Sequence, residues 1–190
     1  VTTLHLIRHA RPAIDPAVRP SDWSLAAESE GIAALRDSRV LPTPARWFSS
    51  PEPKAQQTAR LLVDGTVEVV NSLREAARDS WFEDPTELDR AVEDYLVKGT
   101  VPDGAGWEPR VDVALRIVDT ALGVLAAFPD EDSVLVGHGI AFTLLVGALT
   151  GTPPDVAAWR SLRMPDHCAL ALRAEDAFEV VSPWGAWAAG

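Results

Sequence analysis

Thr2-Thr3-Leu4-His5-Leu6-Ile7 is short, rich in β-formers and close to continuously apolar, and it runs directly into Arg8-His9. A strand with apolar residues at nearly every position is one covered on both faces, as in a parallel sheet flanked by helices. A second segment of this kind, Ser133-Val134-Leu135-Val136, is stopped by Gly137-His138-Gly139. Between and around the two, strands alternate with helices. Ala45 to Phe48 reads as a strand leading into Ser49-Ser50-Pro51, and Thr66 to Val70 as another, followed by Leu73-Arg74-Glu75. Helical spacing is read over Ser24 to about Ser38 (Leu25, Ile32, Leu35), over Lys54 to Val63 behind Pro53, and over Thr86 to Val97. It recurs over Glu108 to Phe128, over Ile140 to Leu149, and in a short helix over Val156 to Leu162. Ala169 to Leu172 and Phe178 to Val181 suggest two closing strands. The alternation predicts an α/β fold, a three-layer α/β/α sandwich with a mostly parallel central sheet. In such folds ligands bind beyond the carboxyl ends of the strands, which is where Arg8-His9 and Gly137-His138-Gly139 fall.

The chain has 190 residues, of which 47% are hydrophobic and 24% charged, with a formal net charge of −11. That length suits a single domain, taken as 1–190, with a core large enough to fold unaided. Between about 76 and 107 the pattern loosens around Pro85, Gly99, Pro102, Gly104 and Gly106. This stretch reads as a lid-like insertion, too short for a core of its own. One cysteine, Cys168, excludes an intramolecular disulfide framework and a cysteine-built metal site, and makes a reducing cytoplasm the expected setting. The acidic surplus argues against nucleic acid as a partner. No apolar run reaches the ~18 residues of a membrane span, and no signal-peptide pattern opens the sequence. The oligomeric state stays open at this stage.

Two histidines at strand ends, one beside an arginine and one between glycines, suit phosphoryl chemistry. A neutral imidazole is a nucleophile toward phosphorus, and the phosphoramidate it forms can be hydrolysed. The neighbouring guanidinium offers a planar fork to phosphate oxygens. Glycines let the backbone come close to an anion, and a helix starting at Gly139 would point the favourable end of its dipole at one.

Four ordered stretches carry a family resemblance: Leu6-Ile7-Arg8-His9-Ala10, Ser49-Ser50-Pro51-Glu52-Pro53-Lys54-Ala55-Gln56-Gln57-Thr58-Ala59, Leu73-Arg74-Glu75 and Val134-Leu135-Val136-Gly137-His138-Gly139. In them the chain resembles the histidine phosphatase superfamily, the phosphoglycerate mutase-like or RHG group. The resemblance implies that fold and a phosphatase hydrolysing phosphomonoesters of a small metabolite, without metal or cofactor. It places His9 at the position phosphorylated in turnover and Arg8 at a phosphate-binding arginine. His138 matches the second histidine, which binds the transferred phosphoryl group, and Glu75 the acid that protonates the leaving alcohol. Departures are visible. Lys54 stands where the family usually has arginine, keeping the charge but losing the fork. Ala10 replaces the usual glycine, either Ser29 or Gly31 takes the place of a glycine early in the first helix, and Gly106-Trp107-Glu108 replaces a Gly-Glu-Ser.

Further candidates for substrate contact are Arg11, in the loop after His9, Trp81 and Trp107 bracketing the lid, and His167 in a late loop. His5 is expected to be a packed or edge residue of its strand. Three other activities fit the same motifs: phosphoglycerate mutase-type transfer, protein phosphohistidine phosphatase activity, and non-catalytic binding of a phosphorylated ligand. The modest acidic lid favours hydrolysis over retention of the phosphoryl group, and it offers no clear groove for docking a protein. The Lys54 departure is what keeps the binding module in play.

Overall fold

A computed structural model describes residues 2–78, 82–100, 106–173 and 177–188. The strands are β1 (Thr3–Arg8), β2 (Arg46–Ser49), β3 (Val67–Val69), β4 (Ser133–Gly137), β5 (Asp166–Leu172) and β6 (Phe178–Ser182). The helices are α1 (Ile32–Asp37), α2 (Pro53–Leu62), α3 (Pro85–Lys98), α4 (Arg110–Ala127), α5 (Gly139–Thr150) and α6 (Val156–Ser161). The strands form a single sheet in the order β3-β2-β4-β1-β5-β6. Pairings among the first four are parallel, and β5 and β6 extend one side of the sheet with antiparallel pairings.

Strand alternation divides the interior into two layers. Ile7, Trp47, Val134 and Val136 turn to one face and pack with Ile32, Leu35, Ala55, Ala59 and Leu62 of α1 and α2. Leu4, Leu6, Phe48, Leu135 and Leu170 turn to the other face, against α3, α4 and α5. Helix α3 belongs to this second core through Val92, Tyr95 and Leu96, all fully buried. Its start is conventional: Asp84 accepts a hydrogen bond from the Thr86 amide (2.8 Å), and Pro85 occupies the first turn.

The helix expected from Ser24 is shortened to α1, Ile32–Asp37. Gly31 sits at φ +87° with Pro165 packed where a Cβ would lie, so the helix cannot propagate back through it. The preceding residues are drawn toward the loop after His9. Leu25 bridges Pro12, the Ala26 amide donates to the Arg11 carbonyl (2.9 Å), and the Leu25 amide donates to Gln57 Oε1 (2.7 Å). Strand β5 begins three residues earlier than the apolar pattern suggested, because Asp166 and His167 are buried polar residues inside the ladder. Among the described residues, no helix is long and apolar enough to cross a membrane.

The order of strands positions the site. After β1 the chain turns to α1 on one face, whereas after the adjacent β4 it turns to α5 on the other. The two connections diverge and leave a crevice at the carboxyl ends of β1 and β4.

Candidate active site

His9 follows β1 and His138 follows β4, and backbone bonds lock the two ends together. The His9 amide donates to the Gly137 carbonyl, and the Ser50 amide to that of Val136 (both 2.9 Å). Gly137 is required by a close approach, since a Cβ there would lie 2.7 Å from the Phe142 ring. The imidazoles of His9 and His138 meet edge to face with centroids 5.1 Å apart, and both are buried. They open on a cavity of about 780 Å³ also lined by Arg8, Arg11, Lys54, Glu75 and Arg78. Residues read from four separated motifs thus share one wall system.

His9 Nδ1 lies 2.7 Å from the Ala10 carbonyl oxygen. A carbonyl only accepts, so Nδ1 carries the proton and Nε2 of the neutral ring keeps its lone pair. Burial holds the His9 pKa well below its ordinary 6.5, reinforced by His138, Arg8 and Lys54. Burial likewise lowers that of His138 well below 6.5, aided by Lys54 and Arg8. His138 Nε2 is 2.7 Å from Ser50 Oγ and 3.4 Å from Glu52 Oε1.

Arg8 donates from Nη1 to the Leu162 carbonyl (2.9 Å), while its buried Nε has no hydrogen-bond partner. Burial lowers its pKa from 12.5, opposed by Glu75 and Asp166. Arg78 also lines the cavity with a buried, unpartnered Nε. It was not among the sequence candidates. The only available signal was an arginine three residues beyond Glu75. Two guanidinium groups thus bring positive charge to the wall of one cavity.

Lys54 opens α2 from a buried position. Its Nζ donates to Glu52 Oε2 (2.5 Å) and to the Pro20 carbonyl (2.6 Å). Glu52, also missed from sequence, is 7% exposed and further accepts from the Glu75 amide at Oε1 (2.8 Å). The rest of that motif is scaffolding: Thr58 Oγ1 accepts from the Ala10 amide (2.9 Å) and donates to the Lys54 carbonyl (2.7 Å).

Glu75 extends its carboxylate to the start of α5. Oε1 accepts from the amides of Ala141 (2.9 Å) and Ala76 (3.0 Å), and Oε2 from that of Ile140 (3.1 Å). The helix end expected to face a phosphate is therefore capped by this carboxylate instead. Arg116 of α4 fixes the turn bearing Glu75, donating to the carbonyls of Ser72 (2.7 Å), Arg74 (2.8 Å) and Glu75 (3.0 Å). Glu108 completes the clamp with a bidentate pair to Arg116 (2.8 Å for each bond), a bond from Arg74 (2.9 Å) and the Ala77 amide (3.2 Å). Burial pushes the Glu108 carboxyl up, but Arg116, Ala77 and Arg74 outweigh it and leave its pKa lowered. The glutamate of Gly106-Trp107-Glu108 thus organises the Glu75 turn.

The remaining candidates separate. Arg11 is exposed at the cavity wall. Trp107 is buried behind that wall, its ring centroid 4.9 Å from that of Tyr95, and it does not line the cavity. His167 is not in a loop reaching the pocket: it lies within β5, 1% exposed, with Nε2 3.0 Å from Nδ1 of His5. The antiparallel register that pairs His167 with Ile7 faces it toward His5, away from the cavity. Trp81 lies outside the described residues. Among the described residues no group of three or more His, Cys, Asp or Glu is placed to hold a metal.

A parallel-centred α/β sheet with two histidines, an arginine and a lysine meeting at its strand ends defines a class of phosphate-handling protein. The model for the histidine phosphatase superfamily (branch 1) matches residues 4–185, and the chain belongs to that family. Solved structures agree in fold. A mutant of phosphoserine phosphatase from Entamoeba histolytica, in complex with phosphoserine, superposes with a TM-score of 0.76 at 18% identity, covering 96% of each chain. A mycobacterial glucosyl-3-phosphoglycerate phosphatase gives 0.75 at 22% identity over 95% of this chain and 97% of the other. YhfR of Bacillus stearothermophilus gives 0.74 at 20% identity over 96% of each. No curated protein matches the chain in sequence.

Proposed function

We propose that the protein is a phosphatase that hydrolyses phosphomonoesters of a small metabolite through a phosphohistidine on His9. One observation carries this reading: His9 is a buried neutral imidazole whose Nδ1–H is held by the Ala10 carbonyl, with cations lining the cavity beside it. Family membership supports it, and so do the activities named for the phosphoserine and glucosyl-3-phosphoglycerate phosphatases of like fold.

In the first step His9 Nε2 attacks phosphorus, the P–O bond to the leaving group breaks, and Glu75, protonated in the substrate complex at Oε2 (which accepts only the Ile140 amide), gives that proton to the departing alkoxide. In the second, water attacks the phosphohistidine, the P–N bond breaks, and Glu75 takes the water's proton as orthophosphate forms. Arg8, Lys54, His138 and Arg78 bind the phosphoryl oxygens, and their charge and N–H groups supply the stabilisation without a metal. Arg11, on the open side, contacts the body of the substrate.

The purified protein offered p-nitrophenyl phosphate in the presence of a chelator should release phosphate, and His9→Ala should not. Wild type quenched in alkaline detergent should carry an alkali-stable, acid-labile phosphate that is absent from His9→Ala. Release that survives in His9→Ala refutes the nucleophile; release abolished by the chelator refutes the metal-free step.

A further inference from the structure

Carboxylates are unexpected inside a phosphate cradle, since each opposes the dianion the cradle must hold. Glu52 is such a group. It is buried beside Lys54, it lines the cavity, and its two oxygens reach three separate parts of the site. Oε2 takes the Lys54 ammonium at 2.5 Å, while Oε1 takes the Glu75 amide at 2.8 Å and lies 3.4 Å from His138 Nε2. These partners follow β2, β3 and β4, so a single carboxylate ties together three connections.

The ammonium's own inventory shows what this does. Lysine has three N–H donors, and here one goes to Glu52 and one to the Pro20 carbonyl. A single N–H is left for a phosphoryl oxygen. A lysine normally swings as a free point charge on a flexible stem; this one is oriented by two acceptors, and its charge is balanced by one of them.

We propose that Glu52 is a positioning and charge-setting residue of the phosphate site, aiming Lys54 and masking its charge so that orthophosphate is held weakly enough to leave. The inference rests on the phosphatase reading above. It makes a prediction opposite to that for an ordinary structural anchor: neutralising Glu52 should tighten the binding of product. Glu52→Gln keeps the shape of the side chain and an oxygen for the Glu75 amide, but removes the negative charge that masks the Lys54 ammonium. The inhibition constant of orthophosphate against p-nitrophenyl phosphate should fall by about tenfold, with KM falling alongside and kcat not rising. Because Glu52 acts through Lys54, the tightening should vanish when Glu52→Gln is placed on Lys54→Met.

An inhibition constant that is unchanged or raised in a Glu52→Gln protein that still unfolds cooperatively overturns the inference, as does a tightening that persists on Lys54→Met. Should Glu52→Gln not fold, Glu52→Asp withdraws the carboxylate from Nζ by about one bond length and carries the same test, with a tightening of about threefold expected. Wild type and His9→Ala run in parallel separate the two claims. If wild type shows no His9-dependent turnover, the phosphatase reading fails and this inference falls with it. If wild type turns over and Glu52→Gln does not tighten phosphate, only the role given to Glu52 is lost.

Discussion

The buried pair His5–His167 sets how the fold should respond to acid. His167 Nε2 and His5 Nδ1 are 3.0 Å apart, and His167 Nδ1 is buried with no hydrogen-bond partner. Two neutral rings can share one proton in that contact, whereas a further proton on His167 would leave a buried N–H without an acceptor. Burial, reinforced by His5, accordingly lowers the His167 pKa from 6.5 to about 4, against the opposing pull of Asp166. The folded state therefore binds this proton less readily than the unfolded chain. Its contribution to stability is fully present above pH 6.5 and is lost as the pH falls toward 4. At about 1.4 kcal/mol per tenfold in proton affinity, the whole difference is on the order of 3 kcal/mol, most of it gone by about pH 4.5. Denaturant unfolding of wild type and His167→Gln at a series of pH values between about 7.5 and 4.5 checks this. Gln cannot titrate and still offers an oxygen and an amide to His5, so the variant should lose about 2 kcal/mol less than wild type over that range. Carboxylates that titrate near the lower end are common to both proteins and cancel in the difference. Parallel loss in wild type and variant would show that His167 is not the group that titrates. The result also bears on activity, because the acid side of a phosphatase profile would then report unfolding as well as catalysis.

The clamp behind Glu75 should be separable from phosphate binding. Arg116→Met leaves the partly buried Glu108 carboxylate short of its main partner, and is expected to cost about 1–2 kcal/mol in denaturant unfolding. It should lower kcat roughly tenfold or more with little change in the orthophosphate inhibition constant; an unchanged kcat would show that the turn holds Glu75 without it. Gly137→Ala should destabilise by about 1–3 kcal/mol, because the added methyl meets the Phe142 ring. A calorimetric midpoint equal to that of wild type would contradict the close contact. Nitrogen NMR of imidazole-labelled protein should find His9 and His138 still neutral at pH 6.5, both being held well below that value. Half-protonation of either at pH 6.5 would contradict the burial assigned to them.

Much of this molecule is legible in its sequence. The apolar segments ending at Arg8-His9 and Gly137-His138-Gly139 are strands β1 and β4, side by side in the sheet, because only residues buried on both faces can be apolar at nearly every position. The helix over Ser24 to Ser38 failed at its first half, where apolar spacing competes with a left-handed glycine and with backbone bonds to the loop after His9. Histidine and aspartate are poor strand signals, so the sequence places His167 in a loop, yet Asp166 and His167 are both sealed in the β5 ladder.

The α/β alternation, the family, and the residues Arg8, His9, Lys54, Glu75 and His138 that line one cavity all follow from the order of residues along the chain. These are local matters, fixed by periodicity and by side-chain chemistry at element ends. Which charges stand near which is set by how the chain folds in space. Glu52 meets Lys54, His138 and the Glu75 amide across three chain connections, Arg116 reaches the Glu75 turn from more than 40 residues away, and Arg78 shares the cavity with Arg8. Electrostatic interaction depends on distance through space and on burial, and neither is written in the spacing of residues along a chain.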